Sequence, residues 1–514
     1  MLLLSGLKNS FSKIPMTNKR IAKNTLYLYF RMGIIMLVQL YTSRIVLATL
    51  GIEDFGIYNV VGGVILLFNF IKNPMTVSTQ RFLTFALGKG IFENTRKTFS
   101  ISFSIHLATA VLILLLGETI GLWFLNTQLN IPAERMEAAN FVYQFTIFTA
   151  CVSILQVPFR AAIISHERMK FFAYLSIAEA LLKLCIVYLL LIFSADKLEL
   201  YAMLIFAVSI VIFLCYKFYS NKHFKETHYK PYYDKAMLKE QLSFSGWSFF
   251  GAVANVTAKQ GVNMLLNIFY GVVVNAAMGI ANQVNNAVNH FVTNFQTAFK
   301  PQIVKLYAKN NKEQLLDLII NSAKFSYILI FAMACPLILN MDFALKIWLN
   351  VYPDYAIDFC RLMLIHSLIE SLEYPLWISV GATGRIKIYQ ITVSCFILLN
   401  IIFSFILLKL EFSPVFVLYV KIAVDVVLLF VRMFFVKFLI GLSLRRFTLV
   451  LLKLLLISLI SLPLPVLVCT QWEGFARLLL SSASFLVVYA PAVFFIGLNK
   501  NERKFTTSIF SATK

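Results

Sequence analysis

The chain has 514 residues, of which 60% are hydrophobic and 14% charged, and its formal net charge is +22. This apolar content excludes a soluble globular protein and indicates a polytopic membrane protein. The basic residues lie in short segments between apolar runs, which is typical of membrane topology and argues against a nucleic-acid partner. Seven cysteines are scattered without paired spacing, so they predict neither a metal site nor a disulfide framework.

The apolar stretches predict about fourteen membrane-spanning helices, each close to the ~20 residues that a bilayer requires. Their expected limits are 25–49, 55–87, 99–124, 138–164, 171–194, 199–219, 243–269, 275–304, 317–341, 357–382, 388–408, 414–436, 449–469 and 475–497. Lysine and arginine collect in alternate connections and in both terminal segments, 1–24 and 498–514. The positive-inside rule therefore predicts that both termini are cytoplasmic.

A basic linker at 220–242 divides the predicted spans into two six-helix lobes, 25–219 and 243–436, followed by two further helices within 449–497. The lobes look like repeats, because Gly56-Ile57-Tyr58-Asn59 in the second span corresponds to Gly279-Ile280-Ala281-Asn282 in the eighth. Parallel repeats occur in transporters whose substrate site lies between two lobes. We therefore expect an all-α integral membrane protein with a central cavity lined by helices 1, 2, 7 and 8.

Polar residues at helical spacing mark three of these spans. The stripes are Asn69, Lys72, Asn73, Thr76 and Gln80; Asn255, Lys259, Asn263 and Asn267; and Asn282, Asn285, Asn286, Asn289, Thr293, Gln296 and Lys300. A charge near the centre of a membrane helix costs roughly 2.5–3.5 kcal/mol on insertion scales, so the stripes favour a watery substrate pathway. The alternative is interhelical hydrogen bonding, which membrane helices use routinely.

The run Leu50-Gly51-Ile52-Glu53-Asp54-Phe55-Gly56-Ile57-Tyr58 resembles the LGxxxFGxY-like signature of polysaccharide-export flippases. These are the Wzx-type branch of the multidrug/oligosaccharidyl-lipid/polysaccharide (MOP) superfamily, and the resemblance extends to the helix count, the lobe break and the two C-terminal helices. It implies a MATE/MOP-like fold and movement of undecaprenyl-diphosphate-linked oligosaccharide, the repeat unit of O-antigen or capsule, across the bacterial inner membrane. It also implies alternating access through a cationic cavity, ion antiport, and polysaccharide polymerase machinery as a downstream partner.

A diphosphate headgroup needs cations, and its sugars need amide or aromatic groups. The candidate substrate-binding residues are Arg31, Lys72, Asn73, Asn255, Lys259, Asn263, Asn282, Asn286 and Asn289. Lys72 and Lys259 are expected to bind the diphosphate from opposite lobes. Arg31 is preferred to Arg44 because the two cannot face one cavity on a straight helix. For cations near span ends, snorkelling to lipid headgroups is an equal alternative; these are Arg44, Arg81, Lys300 and Arg432.

No nucleotide-binding motif such as GxxxxGK[ST] occurs, so an ion gradient is the expected energy source and no cofactor is expected beyond H+ or Na+ as coupling ion. His366, Glu370 and Glu373 form a helical stripe, and Asp425 lies four residues after Lys421. The candidate ion-coupling residues are Glu370, Glu373 and Asp425, with Asp425 tied to Lys421. The alternative for the stripe is a structural hydrogen-bond cluster. Glu179 and Lys183 are expected to neutralise one another.

Two other functions remain open on the sequence. A multidrug exporter of the same superfamily would share the fold, but its cavity should be apolar or acidic, whereas the intramembrane charges here are mostly basic. A membrane-embedded glycosyltransferase or polymerase usually needs a large external loop, and the connections at 125–137 and 342–356 are short. Glu53-Asp54 resembles a catalytic acid pair, but the neighbouring glycines and aromatics favour turn residues. We expect a transporter with no catalytic residue and no metal.

Overall fold

The computed structural model describes residues 16–128, 131–192, 196–500 and 502–503. These residues are almost entirely helical, and none of them lies in a β-strand. Nine stretches within the described ranges are long and apolar enough to cross a bilayer by length and composition. The prediction of a helical, multi-pass membrane protein is confirmed.

The chain divides into two compact units, of which the first, the N-unit, comprises Leu26–Ala252. Its helices are α1 (Met16–Lys89, whose first residues belong to the other unit), α2 (Phe92–Leu116), α3 (Leu122–Gln128), α4 (Met136–Leu155), α5 (Val157–Ser165), α6 (Met169–Ile192) and α7 (Lys197–His223). Helix α4 packs against α2 and α7, and α6 packs against α7. Pro158 in the first turn of α5 fits a helix start, because its missing N–H is not needed there.

The second unit, the C-unit, comprises the described residues from Val253 onwards and those up to Thr25. Its helices are α8 (Lys235–Ala308, whose residues up to Ala252 belong to the N-unit), α9 (Lys312–Leu339), α10 (Met341–Leu349), α11 (Ala356–Thr383), α12 (Lys387–Lys409), α13 (Phe416–Ile440), α14 (Leu444–Ser461), α15 (Pro463–Gln471) and α16 (Gly474–Ala492). Helix α11 packs against both α9 and α13, and α12 packs against α13. These neighbours make α11 the most enclosed helix of the unit, and eighteen of its side chains are buried.

The connections inside the two longest helices differ from each other. In α8 the backbone leaves the helical region at Gly271, where φ is 78° and ψ is −172°. Only glycine adopts this conformation readily, so Gly271 separates the two predicted spans of this segment. In α1 the helical backbone continues through 50–54, so the turn expected there is wrong. That run contains no proline, and its one glycine, Gly51, lies within the helix.

The two predicted C-terminal helices belong to the C-unit core. The span expected at 449–469 is divided between α14 and α15 at Leu462, just before Pro463. Helices α14 and α16 both pack against α9. Polar contacts tie them to α9 and the following residues: Lys324 Nζ with Glu502 Oε2 (2.7 Å), Tyr327 Oη with Ser458 Oγ (2.9 Å) and Asn340 Nδ2 with Ser481 Oγ (2.9 Å).

Candidate transport sites

The N-unit holds a group of basic side chains from α1, α5 and α6. The Lys72 ammonium donates a hydrogen bond to Ser153 Oγ over 3.1 Å and interacts electrostatically with Arg160, Glu179 and Lys183. As their spacing predicted, Lys183 and Glu179 bind each other, with 2.7 Å between Nζ and Oε1. This pair is internally neutral, so Lys72 and Arg160 have no carboxylate partner of their own in the described part of the chain.

An aromatic ring holds two guanidinium groups of this basic group together. Arg31 and Arg160 both lie over Phe172, with 4.8 and 5.0 Å from each Cζ to the ring centre. A cation over an aromatic face is stabilised by the ring quadrupole. The Nε atom of Arg160 is buried and has no hydrogen-bond partner among the described residues. Asn73 is exposed beside Lys72. A half-buried group with excess positive charge attracts an anionic ligand.

The polar stripe on the first half of α8 lies on an exposed face of the C-unit. Asn255 and Lys259 are exposed, and Asn263 is half-buried. The Asn263 amide donates to Gln260 of the same helix over 3.2 Å, and Lys259 forms no ion pair with any described residue. Lys259 and Asn263 therefore form no polar contact with a neighbouring helix in the described chain. This favours a substrate pathway at this face over interhelical hydrogen bonding.

The stripe on the second half of α8 divides between the two interpretations. Asn286 is exposed, and the half-buried Asn282 donates to a backbone carbonyl of its own helix over 2.8 Å. Asn285 instead accepts a buried hydrogen bond from Ser367 of α11. Asn289 donates to Glu370, also of α11, over 3.4 Å. Interhelical hydrogen bonding therefore accounts for Asn285 and for the amide nitrogen of Asn289. Asn282 and Asn286 remain available to a substrate.

The candidate ion-coupling residues of the C-unit lie where α11, α12 and α13 meet. Glu373 is only 5% exposed, and its Oε2 atom lies 3.3 Å from Arg432 Nε. Arg432 also donates a hydrogen bond of 2.5 Å to the Tyr389 hydroxyl. The second oxygen of Glu373, Oε1, is buried and has no hydrogen-bond partner in the described chain. Glu373 thus combines a fixed counter-ion with a buried oxygen that can accept a proton.

A histidine links the other two carboxylates of this region. His366 Nδ1 lies 2.6 Å from Asp425 Oδ2, and its Nε2 atom lies 3.6 Å from Glu370 Oε2. The predicted partner of Asp425 was Lys421, which interacts with it electrostatically but forms no ion pair within 4.0 Å among the described residues. The i,i+4 spacing reveals partners on one helix only, whereas the closer partner lies on the adjacent helix.

Two arginines for which snorkelling was an equal alternative contact other protein groups instead. Arg432 belongs to the carboxylate region described above, and Arg81 is only 5% exposed. The Arg81 guanidinium lies over Phe82 and Phe85, with 4.4 and 4.9 Å to the ring centres, and 3.6 Å from Glu240. The side chain of Arg44 lies outside the described residues. Span-end position alone did not reveal the acidic partners, because Glu240 and Glu373 come from other segments.

A metal site of three or more histidine, cysteine or acidic side chains does not occur among the residues that were described. Single buried carboxylates such as Glu373 can exchange a proton or a monovalent cation. The N-unit offers cation-lined binding of an anion. The two units differ in this respect although their helices follow a similar pattern.

Comparison with known proteins identifies the fold. No family model and no curated sequence matches the chain. A MATE crystal structure in the bent conformation has a TM-score of 0.70 at 14% identity and covers 85% of this chain and 97% of that one. An outward-facing multidrug resistance MATE transporter of the MOP superfamily gives 0.69 at 12% identity, covering 83% and 96%. A MOP superfamily transporter from Pyrococcus furiosus, for which a reversed polarity of the binding pocket suggests a different function, gives 0.68 at 13%, covering 83% and 96%.

Proposed function

We propose that this chain, which has the fold of MATE transporters, is a MOP superfamily flippase for undecaprenyl-diphosphate-linked oligosaccharide in the bacterial inner membrane. The observation that carries the proposal is the basic group of the N-unit, where Lys72 and Arg160 lack carboxylate partners in the described chain while Glu179 is held by Lys183. A diphosphate relieves the repulsion between such cations and accepts charge-assisted hydrogen bonds from them. The exposed amides of α8 supply donors and acceptors for sugar hydroxyls.

The runner-up function is export of cationic drugs, which the fold supports equally well. The carboxylates Glu370, Glu373 and Asp425 of the C-unit favour it, because they would attract a cation. However, Glu373 is paired with Arg432 and Asp425 with His366, so two of the three already have partners. A cationic drug would also meet net positive charge in the N-unit. An anionic substrate suits the N-unit better.

A catalytic function has less support. The acid pair that the sequence suggested is Glu53-Asp54, and Asp54 is already hydrogen-bonded to an arginine. Asp54 accepts two hydrogen bonds from Arg135, at 2.9 and 2.7 Å, in a bidentate arrangement. A carboxylate held in this way is a structural group rather than a general acid or base. We therefore infer transport of the lipid-linked sugar and not its transfer or polymerisation, which we assign to partner enzymes.

Substitution of the two central lysines tests the proposed substrate. Lys72→Ala and Lys259→Ala should each lower export at least ~10-fold, as expected for loss of a charge-assisted contact to phosphate, and arginine at either position should retain part of it. The measurement is accumulation of lipid-linked oligosaccharide on the cytoplasmic leaflet in a deletion strain that expresses each variant. Lys409→Ala, a change at an exposed lysine, is the matched control. Full export by the Lys72→Ala/Lys259→Ala double variant at normal expression would refute the proposal.

A further inference from the structure

The linker between the predicted lobes, 220–242, is fixed to the N-unit by buried side chains. The ring of Phe224 stacks on His166 with 3.9 Å between ring centres, and His166 Nε2 donates to Glu226 Oε1 over 2.6 Å. At the other end of the linker, Gln241 is 2% exposed and accepts a hydrogen bond of 2.8 Å from Ser102 Oγ. The segment therefore follows a defined path across the ends of the N-unit helices.

Each acidic side chain of this linker already has an intramolecular partner. Glu226 is bound to His166, as described above. Asp234 caps α8 by accepting from the backbone N–H groups of Ala236 and Met237, at 2.8 and 3.1 Å. Glu240 lies 3.6 Å from Arg81. The negative charges of the linker are thus compensated from within the N-unit.

The lysines of the linker show the opposite behaviour. All five are exposed, and none forms an ion pair with a described residue; they are Lys222, Lys225, Lys230, Lys235 and Lys239. Lys217, at the end of α7, is exposed as well. Three tyrosines lie among them on the same segment, Tyr229 at 39%, Tyr232 at 36% and Tyr233 at 76% exposure. Docking of the linker therefore leaves an outer surface of lysines and tyrosines with uncompensated positive charge, which we call the linker surface.

We propose that the linker surface binds the phosphate headgroups of anionic lipids in the adjacent leaflet. The linker joins α7 and α8, both apolar enough to cross a membrane, so its lysines lie at the level of the headgroups. Lysine clusters directly beside a membrane helix attract anionic lipids, and tyrosine is enriched at the membrane–water interface. Because the backbone path is already fixed, little ordering is required when a headgroup binds. The proposal is independent of the transported substrate.

Lipid retention by the full-length purified chain tests this proposal. The protein is reconstituted in phosphatidylcholine with a minor fraction of phosphatidylglycerol, extracted in mild detergent, and its bound lipids are counted by mass spectrometry. The test variant carries Lys225→Gln, Lys230→Gln and Lys235→Gln, and the matched control carries Lys197→Gln, Lys346→Gln and Lys409→Gln, three exposed lysines elsewhere. The test variant should retain about threefold less phosphatidylglycerol than the parent protein. In high salt, the parent should retain no more phosphatidylglycerol than the test variant, because salt screens the attraction.

Arginine at the same three positions separates charge from fold. The triple Lys→Arg variant should keep the phosphatidylglycerol of the parent, because headgroup attraction depends on charge at this surface. Unchanged phosphatidylglycerol in the Lys→Gln variant, at an unchanged thermal unfolding temperature, would overturn the proposal and leave the lysines as a solvated topology signal. Equal losses in the test variant and the control would overturn it too, since retention would then follow overall charge.

Discussion

Single residues in this chain are best understood through the charge that faces them from another helix. Arg135, in the first turn of its span, illustrates the point, because it contacts Asp54 and Asp196 at 2.7 and 2.6 Å. Asp196 also caps α7 by accepting from two backbone N–H groups. Burial alone would raise the pKa of Asp196, but the hydrogen bonds from Arg135 and the helix N-terminus hold it below its usual range.

This arrangement predicts a pH-dependent contribution to stability. The folded-state pKa of Asp196 lies below its unfolded value, so the stabilisation is present at neutral pH and lost as pH falls through the folded pKa. Arg135→Ala should destabilise the protein by about 1–3 kcal/mol at pH 7, and the difference from the parent should shrink on acidification. Thermal unfolding in detergent, followed from pH 7 to below the ordinary aspartate pKa of 3.8, measures it. Arg96→Ala, which removes a more exposed i,i+3 pair with Glu93, should have a much smaller effect.

The Oε1 atom of Glu373, which has no hydrogen-bond partner in the described chain, leads to a prediction about energy coupling. We propose that transport exchanges H+ or Na+ at Glu370, Glu373 and Asp425, with Glu373 as the principal ligand because its Oε1 atom is unpartnered in the described chain. Glu373→Gln should abolish the response of substrate flipping in proteoliposomes to an imposed proton or sodium gradient, and Glu370→Gln should weaken it. Glu313→Gln, at an exposed position, is the control. Flipping by the parent that ignores both gradients would contradict coupling and indicate a facilitator drawn forward by downstream polymerisation.

At the scale of helices, the break in α8 depends on a single glycine. Gly271 has a positive φ with extended ψ, a conformation that costs other residues of order 1–3 kcal/mol. An added Cβ would meet no atom within 4 Å, so a substitution there tests backbone strain alone. The break therefore resides in the backbone and not in side-chain packing.

Replacement of this glycine should destabilise the C-unit. Gly271→Ala is expected to lower the unfolding free energy by about 1–3 kcal/mol through backbone strain. Gly279→Ala in the same helix also meets no atom within 4 Å and has helical backbone, so it should be neutral or stabilising by up to ~1 kcal/mol. Thermal unfolding of both variants in one detergent makes the comparison. Equal changes in stability for the two variants would show that the backbone conformation at Gly271 imposes no strain on alanine.

Sequence patterns predicted helices better than they predicted contacts between helices. Apolar length predicted helical segments, and the gap between 269 and 275 contains the break at Gly271. The turn at Glu53-Asp54 was wrong, because glycine content suggested a break that the local backbone does not make. Arg432 was missed as a partner of Glu373, since periodicity along one helix carries no information about a residue some sixty positions away. Arg432 was only weakly indicated by the sequence, because it is a single arginine near the end of an apolar span.

At the scale of the whole molecule, the two C-terminal helices act as part of the C-unit. Lys324 is only 4% exposed, and its ammonium contacts both carboxylate oxygens of Glu502, at 2.8 and 2.7 Å. Removing one partner of a buried ion pair costs about 3–5 kcal/mol, because the other charge is left buried without compensation. The C-unit consequently depends on residues that follow the second predicted lobe.

Truncation tests this dependence. A chain that ends after Gly441 should fail to accumulate in the membrane, since it exposes the face of α9 that α14 and α16 cover and leaves Lys324 unpaired. In the full-length chain, Glu502→Ala should destabilise by about 3–5 kcal/mol, and adding Lys324→Met should recover most of that loss. Thermal unfolding of the single and double variants measures the recovery. Normal accumulation of the truncated chain would mean that α14–α16 are dispensable for folding.

The buried end of the linker has a consequence for the order in which the protein is made. Gln241 and Phe244 are 2% and 4% exposed, and Phe244 packs edge-on against Phe82 of α1 with 5.7 Å between ring centres. Domains generally fold during synthesis in N-to-C order. The N-unit thus lacks part of its interior until translation has passed residue 244, well after α7 has been made. Two halves produced from separate genes and divided at Lys230 would leave the first half without its closing segment, whereas division after Ala252 would keep that segment but cut α8.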